Sequence, residues 1–151
     1  MHVRIAAVGK LRDPAAAALC GEFQKRLRAY HRVEILEVRA SSGAEPGKAV
    51  REEGERLLKV GGEGPLWALD RSGTELSSEQ LSEKIIALER HGRPLTLAIG
   101  GTFGLAPEVP ARAEFVWSLS KLTFLHEWAR MIVLEQLYRA AKIARSEPYH
   151  H

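Results

Sequence analysis

The stretch Leu95-Thr-Leu-Ala-Ile-Gly-Gly-Thr-Phe-Gly104 organises the reading of the whole chain. Leu95–Ile99 is an apolar run with the signature of a strand, and it enters a glycine-rich turn, Gly100-Gly101-x-x-Gly104, with no spacer. Such a junction suggests a loop that cradles a phosphate or a nucleotide. Its G-G-x-x-G spacing, late in the chain, is not the dinucleotide fingerprint, which follows a first strand. The first strand here, Val3–Val8, is followed by Gly9-Lys10-Leu11, without a glycine cluster. No G-x-x-x-x-G-K-[ST] loop occurs, which argues against nucleoside triphosphate hydrolysis. On the turn alone two readings stay open: a ligand loop, or glycines that simply permit a positive φ in a tight bend.

Outward from that turn, strands and helices alternate. Asp13-Pro14 starts a helix whose Ala16, Leu19, Cys20, Phe23 and Leu27 share one face. Cys20 therefore reads as packing, not as a nucleophile. Val33–Val38 is a second strand, Ser41–Gly47 a polar turn region, and Lys48–Val60 a helix ending at Gly61-Gly62. Leu66–Leu69 is a short third strand closed by Asp70, after which Arg71-Ser72-Gly73 turns the chain. Ser77-Ser78-Glu79-Gln80 carries a capping pattern for a third helix. Ala113–Trp117 reads as a fifth strand and Glu127–Arg145 as the longest helix. This order predicts one α/β domain over residues 1–151, a mostly parallel sheet with helices on both faces. Ligands of such sheets bind beyond the C-terminal ends of the strands, where Asp70, Gly100–Gly104 and Ser118–Leu125 fall.

Composition narrows the class. The 151 residues are 45% hydrophobic and 27% charged, the balance of a globular domain, and no apolar run approaches a membrane span. One cysteine excludes an internal disulfide and a cysteine-based metal site, as expected of a cytoplasmic protein. A net charge of +3 suits a polyanionic partner without identifying one.

The hydroxyl-rich segment Trp117-Ser-Leu-Ser-Lys-Leu-Thr123 follows a strand and could offer backbone groups to a planar base. An ordinary strand-to-helix connection is the competing reading. Taken with the glycine turn, however, the segment belongs to a larger pattern. Gly100-Gly101-x-x-Gly104-Leu105, Trp117–Thr123, His126, Arg130, Glu135-Gln-Leu-Tyr-Arg139-Ala140 and Pro148-Tyr149-His150 resemble the large-subunit ribosomal RNA methyltransferase H family of the SPOUT class. The likeness spans the whole chain, including Ala7-Val8-Gly9-Lys10. The chain departs from the family pattern beside His126, where Leu125 and Glu127 stand in place of a frequent proline, and at its last residue, His151.

The resemblance implies a C-terminal trefoil knot, a homodimer, and N3-methylation of a pseudouridine in a stem-loop of large-subunit rRNA. It implies S-adenosyl-L-methionine as methyl donor, with no metal and no membrane partner. Donor contacts are expected from Leu69, Gly100, Gly101, Ser120, Lys121, Leu122, Thr123, Phe124 and Leu125. N3 of pseudouridine is a weakly acidic imide that must lose its proton to become a good nucleophile, so a base or a field stabilising the anion is required. His126, His150 and Asp70 are the candidate bases. Tyr149 and His150 are expected to close over the target base, and Arg139 to hold RNA. Arg130, Lys142, Arg145, Lys25, Arg26, Arg28 and Arg32 could track phosphates beside it, although Glu135 and Arg139 are also spaced for a local ion pair. The broad apolar arc of Met131, Ile132, Leu134 and Leu137 suggests that the last helix also forms part of the dimer interface. Two other functions fit parts of the sequence: a ribosome-binding module without catalysis, and an enzyme using the glycine turn for a different nucleotide. The intact Trp117–Thr123 segment argues against both.

Overall fold

A computed structural model describes residues 1–43 and 45–149. The elements follow in the order β1 (His2–Val8), α1 (Pro14–Leu27), β2 (Arg32–Val38), α2 (Pro46–Gly61), β3 (Leu66–Glu75), α3 (Ser78–Arg90), β4 (Leu95–Ile99), α4 (Glu108–Arg112), β5 (Phe115–Ser118) and α5 (His126–Ala144). Local chemistry explains several boundaries. Asp13 accepts a hydrogen bond from the Ala15 amide while Pro14 opens α1, so both halves of the expected start signal are used. Ser77 and Gln80 form a reciprocal capping box at the head of α3.

The five strands make one parallel sheet in the order β2-β1-β4-β3-β5. On one face, Val3, Ile5 and Ala7 of β1 join residues of α1, α3 and α5 in the largest apolar cluster, which includes Cys20, Leu81, Ile85, Val133 and Leu137. On the other face, Ala6 and Val8 meet Leu57 of α2, and Ala68 and Ala98 meet Val109 of α4. Successive residues of a strand point to opposite faces, so β1 is apolar on both sides. Cys20 is buried in that packing, and burial pushes its thiol pKa up, away from nucleophilic use.

Two sequence expectations change here. Arg71-Ser72-Gly73 does not end the third strand: β3 runs on to Glu75, and Leu69 and Thr74 both lie opposite Trp117 of β5. Asp70–Gly73 thus form a four-residue irregularity inside the strand, because pairing with β5 resumes beyond it. Arg130 is the second correction, since it is fully buried instead of facing RNA. Its Nη1 donates to Glu37 Oε1 at 2.7 Å and its Nη2 to the Gly9 carbonyl at 3.0 Å, tying α5 to the ends of β1 and β2. A guanidinium with no solvent access is held by such a set of acceptors, not by a mobile phosphate. Smaller differences are shifts of one or two residues, with α2 opening at Pro46 and α5 at His126.

Candidate methyl-donor site

Three adjacent strands, β4, β3 and β5, end at one edge of the sheet, and the loops leaving them enclose a cavity of about 760 Å³. That volume lies in the range of small-molecule sites. Gly100 and Gly101 form one wall. Gly104 N donates to the Gly101 carbonyl at 3.1 Å, closing the turn on itself. At Gly100 an added Cβ would lie 2.5 Å from the carbonyl carbon and oxygen of Gly104, so no larger residue fits. The glycine at this position is a packing requirement of the turn.

The opposite wall is the segment after β5. Ser118 Oγ donates to the Ser120 carbonyl at 3.0 Å, and Ser120 Oγ accepts from the Leu122 amide at 3.1 Å. These two hydroxyls hold the loop in place, which is why the segment is serine-rich just past a strand. Of the residues singled out in the sequence, Leu69, Gly100, Gly101, Ser120, Leu122, Thr123, Phe124, Leu125 and His126 line the cavity. Lys121 does not line it: it faces a neighbouring cleft with Arg71, Ser72, Gly73 and Glu75. Three exposed apolar side chains, Phe103, Leu122 and Leu125, stand at the cavity and are 62–71% accessible.

The chemistry of the lining fits a sulfonium-bearing nucleoside. Ile99, Trp117 and Leu119 give apolar walls for a base, and Thr102, Ser120 and Thr123 give hydroxyls. Asp70 supplies a carboxylate and Arg71 a cation. With Lys121 turned away, the Arg71 charge in the lining is offset by that of Asp70. His126 is the first residue of α5.

The other residues expected to act on the substrate lie elsewhere in this chain. Arg139 donates to Glu135 Oε1 from both Nε and Nη2, at 3.1 and 2.7 Å, so the local ion pair forms. Its guanidinium lies 4.7 Å from the ring centroid of Tyr149. Tyr149 also stacks edge-on against Tyr138 and donates its hydroxyl to Glu135 at 3.2 Å. Burial first, and then the Glu135 charge, push the Tyr149 phenol pKa up. Thirteen residues of helix separate His126 from Arg139, about 20 Å at 1.5 Å per residue. One chain therefore does not bring them together. His150 lies outside the described residues. Three more of the basic residues are engaged: Arg26 pairs with Glu22, Lys142 with Glu147, and Arg145 lies over the Tyr30 ring.

Sequence reasoning missed Glu53. Its Oε1 accepts from the Ser41 amide at 3.0 Å, while its Oε2 is buried without a partner and lies 3.4 Å from where a Cβ on Gly101 would sit. The signal was available, since Glu53 shares helical spacing with Val50 and Leu57 on the inward face of α2.

Comparison with known proteins identifies the family and the fold. The family model described as "Predicted SPOUT methyltransferase" matches residues 1–150. The ribosomal RNA large subunit methyltransferase H of Gloeobacter violaceus is 44% identical, with 100% of this chain and 99% of the relative covered. That of Heliobacterium modesticaldum is 43% identical, with 99% of each covered. Among solved structures, a probable methylase family protein from Haemophilus influenzae superposes with a TM-score of 0.58 over 99% of this chain and 70% of its own, at 12% identity. A putative methylase family protein from Neisseria gonorrhoeae gives 0.58 over 99% and 85%, at 15% identity. These structural likenesses establish a shared fold.

Fold, cavity and family model define the class, a SPOUT methyltransferase. Within that class the chain belongs to the ribosomal RNA large subunit methyltransferase H family. It is a methyltransferase, and S-adenosyl-L-methionine is its methyl donor.

Proposed function

We propose that the protein methylates N3 of a pseudouridine in a stem-loop of large-subunit rRNA, working as a cytoplasmic homodimer with the C-terminal knot of its class. The observation that carries this reading is the cavity at the ends of β4, β3 and β5, built from the two loops that also carry the family resemblance.

When bound, the donor supplies a methyl group on a sulfonium centre. The protein's own work is to seat that group, exclude water and deal with the N3 proton. The leucine-rich loop and Phe103 wall off the cavity. N3–H must give up its proton as the N–CH3 bond forms, and the pair from the breaking S–CH3 bond stays on sulfur, leaving a neutral thioether. His126 and Asp70, both lining the cavity, are the groups placed to take or guide that proton.

Arg139 and Tyr149 join the same event through a second copy. Arg139 lies about 20 Å along α5 from His126, and Tyr149 packs against Arg139 at that far end, too far to touch one base from one chain. In a two-fold dimer the tail of one protomer completes the cavity of the other. The exposed apolar residues near the cavity, including Trp128 at 48% accessibility, are the surface such a partner would cover.

The test is mass-spectrometric mapping of rRNA from cells lacking the protein, before and after purified protein and donor are added. One methyl group gained on a pseudouridine base is the expected result. Methylation of another base, or none, would remove this substrate assignment.

A further inference from the structure

The cleft beside the donor cavity has features that donor binding does not explain. Its volume is about 600 Å³ and it is lined by Arg71, Ser72, Gly73, Glu75 and Lys121. Arg71 belongs to the walls of both cavities, so the two are adjacent.

The cleft is built from the irregularity in β3. Asp70 Oδ1 accepts from both the amide and the hydroxyl of Ser72, at 2.8 and 2.5 Å, which folds the segment into a tight local turn. At Gly73 a Cβ would lie 2.4 Å from the Val116 carbonyl oxygen, so the segment is pressed against β5. Four residues that make no ladder with β5 are thus held firmly, and Arg71 and Ser72 are the exposed side chains they present. On the other wall, the Ser120 turn fixes the backbone around Lys121.

Charge points to the same cleft. Four of the cations expected to meet RNA are paired within the protein: Arg26 with Glu22, Arg139 with Glu135, Lys142 with Glu147 and Arg130 with Glu37. Among the described residues, neither Arg71 nor Lys121 makes an ion pair or a side-chain hydrogen bond. With Glu75 in the same cleft, one positive charge is left in excess, the match for a single monoanion. Guanidinium and ammonium groups on facing walls are a common grip for a phosphate.

We propose that Arg71 and Lys121 hold a backbone phosphate next to the target nucleotide, and so fix the register of the RNA over the donor cavity. This rests on the rRNA-methylation reading above. A carboxylate is the other anion that could reach the cleft, namely that of the donor's own amino-acid moiety, and the test separates the two.

Arg71→Ala, Lys121→Ala and the double variant are compared with wild type in three measurements: binding of a fluorescent rRNA stem-loop across a potassium chloride series, calorimetric titration with S-adenosyl-L-methionine, and methyl transfer. The double variant should lose about three- to tenfold in RNA affinity at low salt, with the slope of log K against log salt reduced by about one. Arg71→Lys and Lys121→Arg should restore most of the loss, and the donor affinity of Lys121→Ala, whose side chain lies outside the donor cavity, should change less than twofold. Unchanged RNA affinity and slope would overturn the proposal. So would a fall in donor affinity with RNA binding intact, which would assign the cleft to the donor's carboxylate. If wild type binds RNA through this cleft yet transfers no methyl group to it, the methylation reading fails and the cleft stands. If it methylates rRNA and the variants bind RNA like wild type, the cleft fails alone.

Discussion

Gly100 packs its Cα against the Gly104 carbonyl with no room for a methyl group. Gly100→Ala must open the turn, so we expect a fall of about tenfold or more in donor affinity by calorimetry and a stability loss of about 1–3 kcal/mol. Arg130 is a different case, since it touches no part of the cavity. Arg130→Met strands the Glu37 carboxylate and the Gly9 carbonyl, and urea denaturation should register a loss of about 3 kcal/mol. His31 makes stability depend on pH. Burial lowers its pKa first; the Met1 ammonium and Arg145 push the same way, and Glu89, 3.3 Å from Nδ1, opposes. Because its folded pKa is depressed, the unfolded chain takes up the proton more readily. Stability is therefore complete above the unfolded value of about 6.5 and declines as pH falls through it. Chemical denaturation of His31→Leu between pH 7.5 and 5 should show a flatter profile than wild type.

At the scale of elements, the helix starts were the most legible features, because Asp13-Pro14 and Ser77–Gln80 act through short-range hydrogen bonds. Ser77→Ala should cost about 1 kcal/mol, read from the denaturation midpoint, with methyl transfer unchanged at 25 °C. The third strand was misjudged because Arg71-Ser72-Gly73 has the composition of a turn, and whether a strand resumes beyond it depends on β5, more than forty residues later in sequence. Arg130 was misread for a related reason. Spacing shows that Glu135 and Arg139 can pair, but burial decides whether a guanidinium such as that of Arg130 sees solvent at all. Glu53 went unnoticed on the apolar face of α2, because its charge hid a position that the helical period marks as inward.

At the scale of the molecule, the separation of His126 from Arg139 and Tyr149 makes the second protomer part of the proposed site. Light scattering should find a dimer at working concentration. A protein carrying Gly100→Ala and another carrying Arg139→Ala, each inactive alone, should regain about a quarter of wild-type activity when mixed and re-equilibrated. This follows because half the dimers are then mixed, and each mixed dimer holds one intact composite site. Activity no greater than that of the two variants measured separately would place Arg139 and the donor cavity in one protomer.

The donor role expected of the loops after β4 and β5 came from the family resemblance, while the sequence by itself determined whatever depends on near neighbours: the alternation of strands and helices, the caps and the inward packing of Cys20. These features are written in periodicity and in local hydrogen-bond chemistry, which act over a few residues. Only the tertiary structure decided that the sheet runs β2-β1-β4-β3-β5, that Arg130 is enclosed, that Lys121 turns away from the donor loop it belongs to, and that Arg71 stands beside it. Each of these depends on which distant segments come into contact. A cation's role is settled by the acceptors and solvent around it in space, and adjacent residues in the sequence carry little of that information.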